Sequence, residues 1–348
     1  MKKQVSSIAL LSVMTVMAAC AAPTAAPSSG SGSSAASGAC SPAKATKPMP
    51  SGTNRLVIGT GGTGGVFYPY GSGLARILQE KMPNTQATGE VTGGSVDNMK
   101  LLKKGDADIA MSTVDSAYEA AEGISVYKDV GKIPACTIAT LYTSFVHIVS
   151  LEESGIAKVE DMKGKRISVG SAGSSTEVAA DRVLEAAGLD GKKDIKREAL
   201  SVAESVNAMK DKKLDAFFWI GGLPTAAVTD LVNTPGLKVK FIDGAQYVDK
   251  IVAKYGPLYS KFALPKGIYK GIDQDVPGMG IGNVLLVNED MNEQLAYNIT
   301  KTIFDNLPEV QKVHAEAKGL SLQSAVVGSS LPYHPGAIKF YKEKGAIK

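Results

Sequence analysis

One run constrains the fold more than any other: Leu56-Val-Ile-Gly-Thr-Gly-Gly-Thr-Gly-Gly-Val-Phe-Tyr-Pro-Tyr70. Leu56 to Ile58 are apolar and short enough for a buried strand. Glycine then fills five of the seven positions from Gly59 to Gly65. Beyond Pro69 the spacing of Leu74, Ile77 and Leu78 turns helical. Strand, bare loop and helix together bring backbone N–H groups towards an anion at a helix N-terminus. Three readings compete. Gly59-x-Gly61-x-x-Gly64 matches a dinucleotide fingerprint, but Pro69 stands where that helix should run on, and a P-loop would need Lys-Ser or Lys-Thr where Gly65-Val66 stands. A plain tight turn is the second reading. The third is a small carboxylate held by backbone amides and by Thr60, Thr63 or Tyr68, and it is the one favoured.

The N-terminus reads as an export signal. Lys2 and Lys3 precede an apolar stretch from Ile8 to Ala19, and Ala18-Ala19 lead into Cys20. That arrangement resembles a bacterial lipobox, with residues 1–19 a lipoprotein signal peptide and Cys20 acylated; ordinary cleavage after Ala19 or Ala22 is the alternative. Residues 20–52 are rich in Ala, Ser, Gly, Pro and Thr and cannot offset their ordering entropy by burial, so a flexible tether is expected. Cys40 and Cys136 have two fates open to them, a bond outside the cytosol or a buried, inert Cys136.

Residues 54–348 are too long for one compact core and suit two lobes. The net charge of +4 includes Lys2 and Lys3, no basic stripe stands out, and the chain has a single tryptophan; nucleic acid is not an expected partner. Strand and helix alternate along the chain, the pattern of parallel α/β sheets. Three successive strands end in small or polar residues, at Gly62-Thr63-Gly64, Gly93-Gly94-Ser95 and Ser112 to Asp115. Ligands of open α/β sheets bind at such carboxyl ends. Gly170 to Thr176 is a second glycine-serine loop, in which Ser174, Ser175 or Thr176 should cap the following helix. Two long apolar runs, Cys136–Ser150 and Met279–Asn288, would cross between lobes.

The chain resembles the TAXI family, substrate-binding components of one class of TRAP (tripartite ATP-independent periplasmic) transporters. The matching stretches are Ile58 to Pro69, Thr92-Gly-Gly-Ser-Val-Asp-Asn98, Gly105-Asp-Ala-Asp108, Asp161 to Ile167, Gly173-Ser-Ser-Thr-Glu177, Asp215 to Trp219, Gly222-Leu-Pro-Thr-Ala226 and Asp275-Val-Pro277. One departure is Ser175, where the family usually carries Gly. The resemblance implies a two-lobed periplasmic-binding-protein-like α/β fold (type II) with hinge strands. Lobe I would comprise 53–145 plus about 280–348, and lobe II about 146–279. It further implies capture of a small organic anion, a glutamate-like amino acid or a dicarboxylate or 2-oxo acid such as 2-oxoglutarate, and delivery to a TRAP permease. A lipid-anchored extracytoplasmic monomer without cofactor or metal is expected.

None of the five arginines falls in an expected pocket loop, so an arginine clamp is not anticipated. Instead Gly62, Thr63, Gly64, Thr92, Gly94 and Ser95 would meet one end of the anion, and Ser174, Ser175, Thr176 and Gly222 the other. Tyr68, Tyr142 and Trp219 could wall the pocket or pack in the core. Asp115 could select an ammonium or cap the Ser116 helix. His147 reads as a satisfied core residue, and the tail beyond Leu331 as packing. Two other classes stay open: an exported serine hydrolase using a serine of Gly173-Ser174-Ser175 or of Gly94-Ser95, although neither stretch fits Gly-x-Ser-x-Gly, and a surface adhesion lipoprotein.

Overall fold

The computed structural model describes residues 40–348. The expected signal peptide and Cys20 lie outside them.

The first lobe starts with three βα units: β1 (Asn54–Gly59), α1 (Phe67–Lys81), β2 (Thr85–Glu90), α2 (Ser95–Lys104), β3 (Ile109–Thr113) and α3 (Val114–Glu122). β1 pairs in parallel with β2 and β3. The long β4 (Ala135–Leu151) then crosses to the second lobe. There the chain runs through β5 (Arg166–Ser168), α4 (Ser175–Ala186), β6 (Lys196–Glu198), α5 (Val202–Lys210), β7 (Ala216–Gly221), α6 (Ala226–Val232), β8 (Val239–Phe241), α7 (Ala245–Tyr255) and β9 (Tyr259–Leu264). Finally β10 (Val276–Asn288) crosses back, and α8 (Glu293–Asp305), α9 (Leu307–Val310) and α10 (Pro335–Glu343) complete the first lobe.

All ten strands belong to one curled sheet, ordered β2-β1-β3-β10-β4-β7-β5-β6 with β8 on β4 and β9 on β10. The two apolar runs are its centre. β4 pairs with β10 over its first part and with β7 over its last, both antiparallel. β10 pairs with β9 up to Ile281 and with β3 from Asn283 onward. A register shift between Gly282 and Val284 falls where β10 passes from one lobe to the other.

Local chemistry sets the helix starts. Ser174 caps α4 by accepting from Glu177 N at 3.1 Å, Ser201 and Glu204 form a capping box on α5, and Asn292 caps α8. Apolar faces then bury in period. Tyr70, Leu74, Ile77 and Leu78 of α1 join Ile299 and Ile303 of α8 and Phe340 of α10 beneath the first lobe. In the second lobe Val206 and Met209 of α5 pack with Val228 and Leu231 of α6.

Residues 40–52, expected to belong to a flexible tether, are pinned to the first lobe. Cys40 is buried and bonded to Cys136 of β4. Lys47 N donates to Asp290 O at 2.9 Å, and Lys47 Nζ lies 3.2 Å from the Asp290 carboxylate. The expectation of a loose segment through Gly52 is therefore corrected from Cys40 on. Composition there offers no apolar reward, but a covalent staple supplies what burial does not. The bond spans a sequence separation of 96 residues, and cross-links over such loops stabilise by typically about 2–4 kcal/mol. The Cys40→Ser, Cys136→Ala double variant should lose that much in urea unfolding.

Candidate functional site

The carboxyl ends of the parallel strands of both lobes meet around one cavity. It is lined from the first lobe by Gly61, Gly62, Gly65 to Phe67, Gly93 to Ser95 and Thr113. The second lobe contributes Ser171, Ser174 to Thr176, Ser201, Val202 and Trp219 to Gly221; Tyr142 and Ser144 of β4 complete it. The N-terminal ends of α1, α2, α4 and α5 therefore converge there. Each brings partly unsatisfied N–H groups and a partial positive charge. Gly94 precedes α2 with φ 123° and no capping side chain. The cavity volume open to water is ≈ 40 Å³. At roughly 10–15 Å³ per water, that is space for about three waters or a compact ligand.

The lobes touch directly at the rim. Ser95 Oγ donates to Ser175 Oγ at 3.3 Å, and Asp97 N donates to Gly173 O at 3.1 Å. A side chain at Gly65 would begin 2.7 Å from Trp219 Cη2, so bare backbone is what lets the first loop seat against the indole. Trp219 Nε1 donates to Thr225 Oγ1 at 2.9 Å, and Thr225 Oγ1 donates to Gly222 O at 2.8 Å. Thr225 N donates to Tyr269 Oη at 2.7 Å, and that hydroxyl lies 3.1 Å from His147 Nε2. His147 Nδ1 faces the carbonyls of Phe145 and Trp219 at 3.1 and 3.2 Å. Nδ1 thus carries the proton and Nε2 accepts from Tyr269. His147 is a satisfied core residue that also braces Trp219.

Burial lowers His147 to about 4, and the buried His334 likewise. Both sit below the unfolded value of roughly 6.5. Between those values the unfolded chain binds more protons than the native one, so stability is full above pH 6.5 and falls as pH drops towards 4. Urea midpoints should decline across that window, and less steeply in His147→Gln.

Of the expected site residues, the cavity brings together Gly62, Gly94, Ser95, Tyr142, Ser174, Ser175, Thr176 and Trp219. The others stand elsewhere. Thr63 is exposed at the outer turn of its loop. Gly64 packs on Ala203 and Val202, and Tyr68 sits one residue off the inward face of α1, so neither lines the cavity. Thr92 Oγ1 donates to Asn98 Oδ1 at 2.7 Å and accepts from Gly94 N, bracing the loop from behind. Gly222 makes room for Glu316: a Cβ there would lie 2.5 Å from Glu316 Cγ. Glu316 itself reaches the second lobe, where its Oε1 accepts from Leu223 N, and burial raises its carboxyl pKa.

Asp115 neither faces the cavity nor caps its helix in the expected way. It is fully buried, accepts from Thr113 Oγ1 at 2.6 Å and Ser116 N at 2.7 Å, and pairs with Arg182 Nη1 at 2.9 Å. Arg182 also meets Glu119 and, at 2.8 Å, Tyr259 Oη. This cluster ties α3 of the first lobe to α4 of the second. Sequence reasoning missed it, along with Ser144 and Ser201; Gly65 and Thr113 stand in loops expected at the ligand edge of the sheet but were not singled out as contacts. Ser201-Val-Ala-Glu204 did carry a capping-box signal that places Ser201 at a helix start.

The family model described as the NMT1-like family matches residues 58–345. Among solved structures, one from Bordetella bronchiseptica RB50 is similar over 85% of this chain and 90% of its own, with 16% identity and a TM-score of 0.51. The periplasmic aliphatic sulphonate binding protein SsuA from Escherichia coli covers 83% of each chain at 15% identity and a TM-score of 0.42. The GluR0 ligand binding core in complex with L-glutamate covers 77% of this chain and 98% of its own at 12% identity and a TM-score of 0.44. Identity at these levels speaks to the fold alone, a mixed α/β two-lobed architecture.

Proposed function

Since this chain belongs to the NMT1-like family, we propose that it is an extracytoplasmic solute-binding protein that captures a small organic anion by lobe closure. The single observation that carries the reading is the convergence of four helix N-termini on one cavity between the lobes. One N-terminus contributes about 0.3–1 kcal/mol when exposed and up to ~2 when partly buried. A micromolar ligand needs about 8 kcal/mol, so several ends, hydroxyl hydrogen bonds and the Tyr142 and Trp219 faces act together. The TAXI-like motifs make a TRAP permease the proposed recipient, with acylated Cys20 holding the protein at a membrane. A hydrolase reading is weaker, because none of the chain's three histidines lines the cavity that holds the serines.

A thermal-shift screen of small carboxylates tests the proposal. Binding should stabilise the protein by about 2.7 kcal/mol at a hundred times the dissociation constant. Ser95→Ala should weaken the best ligand several-fold in a variant that still folds, though with a lower ligand-free melting point because Thr113 N loses its acceptor, and Thr63→Val should leave affinity alone. No shift with any carboxylate would remove the reading.

A further inference from the structure

The hydrogen-bond polarity of the cavity narrows its ligand. None of the residues lining it is Asp, Glu, Lys, Arg or His, so recognition rests on hydroxyls and backbone. A hydroxyl has one proton, and several here are already oriented by an N–H donor from the protein. Thr176 Oγ1 accepts from Ile220 N at 3.1 Å, and Ser144 Oγ accepts from Asn283 Nδ2 at 2.9 Å. Ser95 Oγ accepts from Thr113 N at 3.1 Å and passes its own proton to Ser175 Oγ. The protons of Ser175 and Thr176 have no protein acceptor among the described residues, which leaves them to the cavity, whereas Ser144 donates to the Tyr142 hydroxyl. Trp219 N–H is spent on Thr225, and Ser174 Oγ is used twice, on Ser171 O and Glu177 N.

Two side-chain hydroxyls and the helix N-termini therefore offer donors to the cavity, while Thr113 Oγ1, whose proton goes to Asp115, offers an acceptor. An ammonium group brings three donors, no acceptor and a positive charge, and it would need carboxylate or carbonyl partners. The carboxylates around the cavity are engaged elsewhere: Asp97 with Gly93 N, Asp115 with Arg182, Glu177 with Arg197 and Gly173 N, Glu316 with Leu223 N. An amine would thus be desolvated beside positive helix ends without a counter-charge. A keto or hydroxyl oxygen at the same carbon can accept.

We infer that the cavity selects a compact carboxylate without an amine, a short 2-oxo or 2-hydroxy acid, over the amino acid of the same carbon skeleton. This rests on the solute-binding reading above and goes beyond it by excluding the amino-acid class.

Calorimetry on the full chain with matched pairs tests it: L-lactate against L-alanine, L-malate against L-aspartate, and 2-oxoglutarate against L-glutamate. The amine-free member of each binding pair should have a dissociation constant at least tenfold lower. An amino acid binding as tightly as its partner overturns the inference and leaves the solute-binding reading standing. If no member of any pair binds, the solute-binding reading falls and takes this one with it. Ser175→Ala should weaken the amine-free acid about tenfold and the amino acid less, with Thr176→Val as a second variant if the first does not fold. An unchanged ratio in a folded variant overturns the assignment of donors.

Discussion

Replacing Arg182 with leucine should lower the unfolding free energy by about 3–5 kcal/mol, because it strips the counter-charge from two buried carboxylates at once. Arg182 exposes 4% of its side chain, Asp115 1% and Glu119 7%. Burial already holds the Glu119 carboxyl above its ordinary range although Arg182 pulls it down. The urea midpoint should fall with little change in slope. Adding Asp115→Asn and Glu119→Gln should recover most of the loss, since neutral amides no longer need a cation. The deficit should also shrink as pH falls, because burial raises the Glu119 carboxyl pKa and, without Arg182 to pull it down, that group takes up a proton more readily. A deficit that stayed constant with pH would mean that packing of the guanidinium on the Tyr255 ring, at 4.4 Å, matters more than its charge.

A second large effect is expected at Gly173, this time on binding. Its φ is 75°, and a Cβ would lie 2.2 Å from Asp97 Oδ1 on the opposite lobe. Gly173→Val carries a left-handed strain of about 1–2 kcal/mol and also wedges the rim where Asp97 N reaches Gly173 O. Ligand affinity should drop at least a hundredfold, about 2.7 kcal/mol. Small-angle scattering should show compaction with ligand in the wild type and none in the variant. Asp97→Ala in the same background should restore part of the affinity. Wild-type affinity in Gly173→Val would show that this rim contact is dispensable for binding.

Much of the architecture was legible because it is written in short-range pattern. Strand, small-residue loop and helix repeat in both halves, and the two apolar runs proved to be the strands that carry the chain between lobes. Ser174 was among the caps expected for α4. The misses have a common cause, contacts that no local window contains. Asp115 meets Arg182 across a separation of 67 residues, and Glu316 meets Leu223 across 93. Tyr68 is a different case. Extending the inward face of Leu74 and Ile77 back through α1 gives Tyr70 and Gly71, both buried, and passes Tyr68 by. Helical phase, taken strictly, argued against it. Thr63 was chosen for its hydroxyl, but in a loop that works through bare backbone the glycines reach the cleft and the threonine turns outward.

The chain has one indole, and it stands in the cleft with its ring against Gly65 of the facing lobe. Emission excited at the red edge of protein absorbance therefore comes from Trp219 alone. Opening the cleft would bring water to that ring and shift its spectrum to longer wavelength, while closure on a ligand would shift it back. The protein carries its own optical gauge of lobe position, and stopped-flow fluorescence can time capture and release without a label.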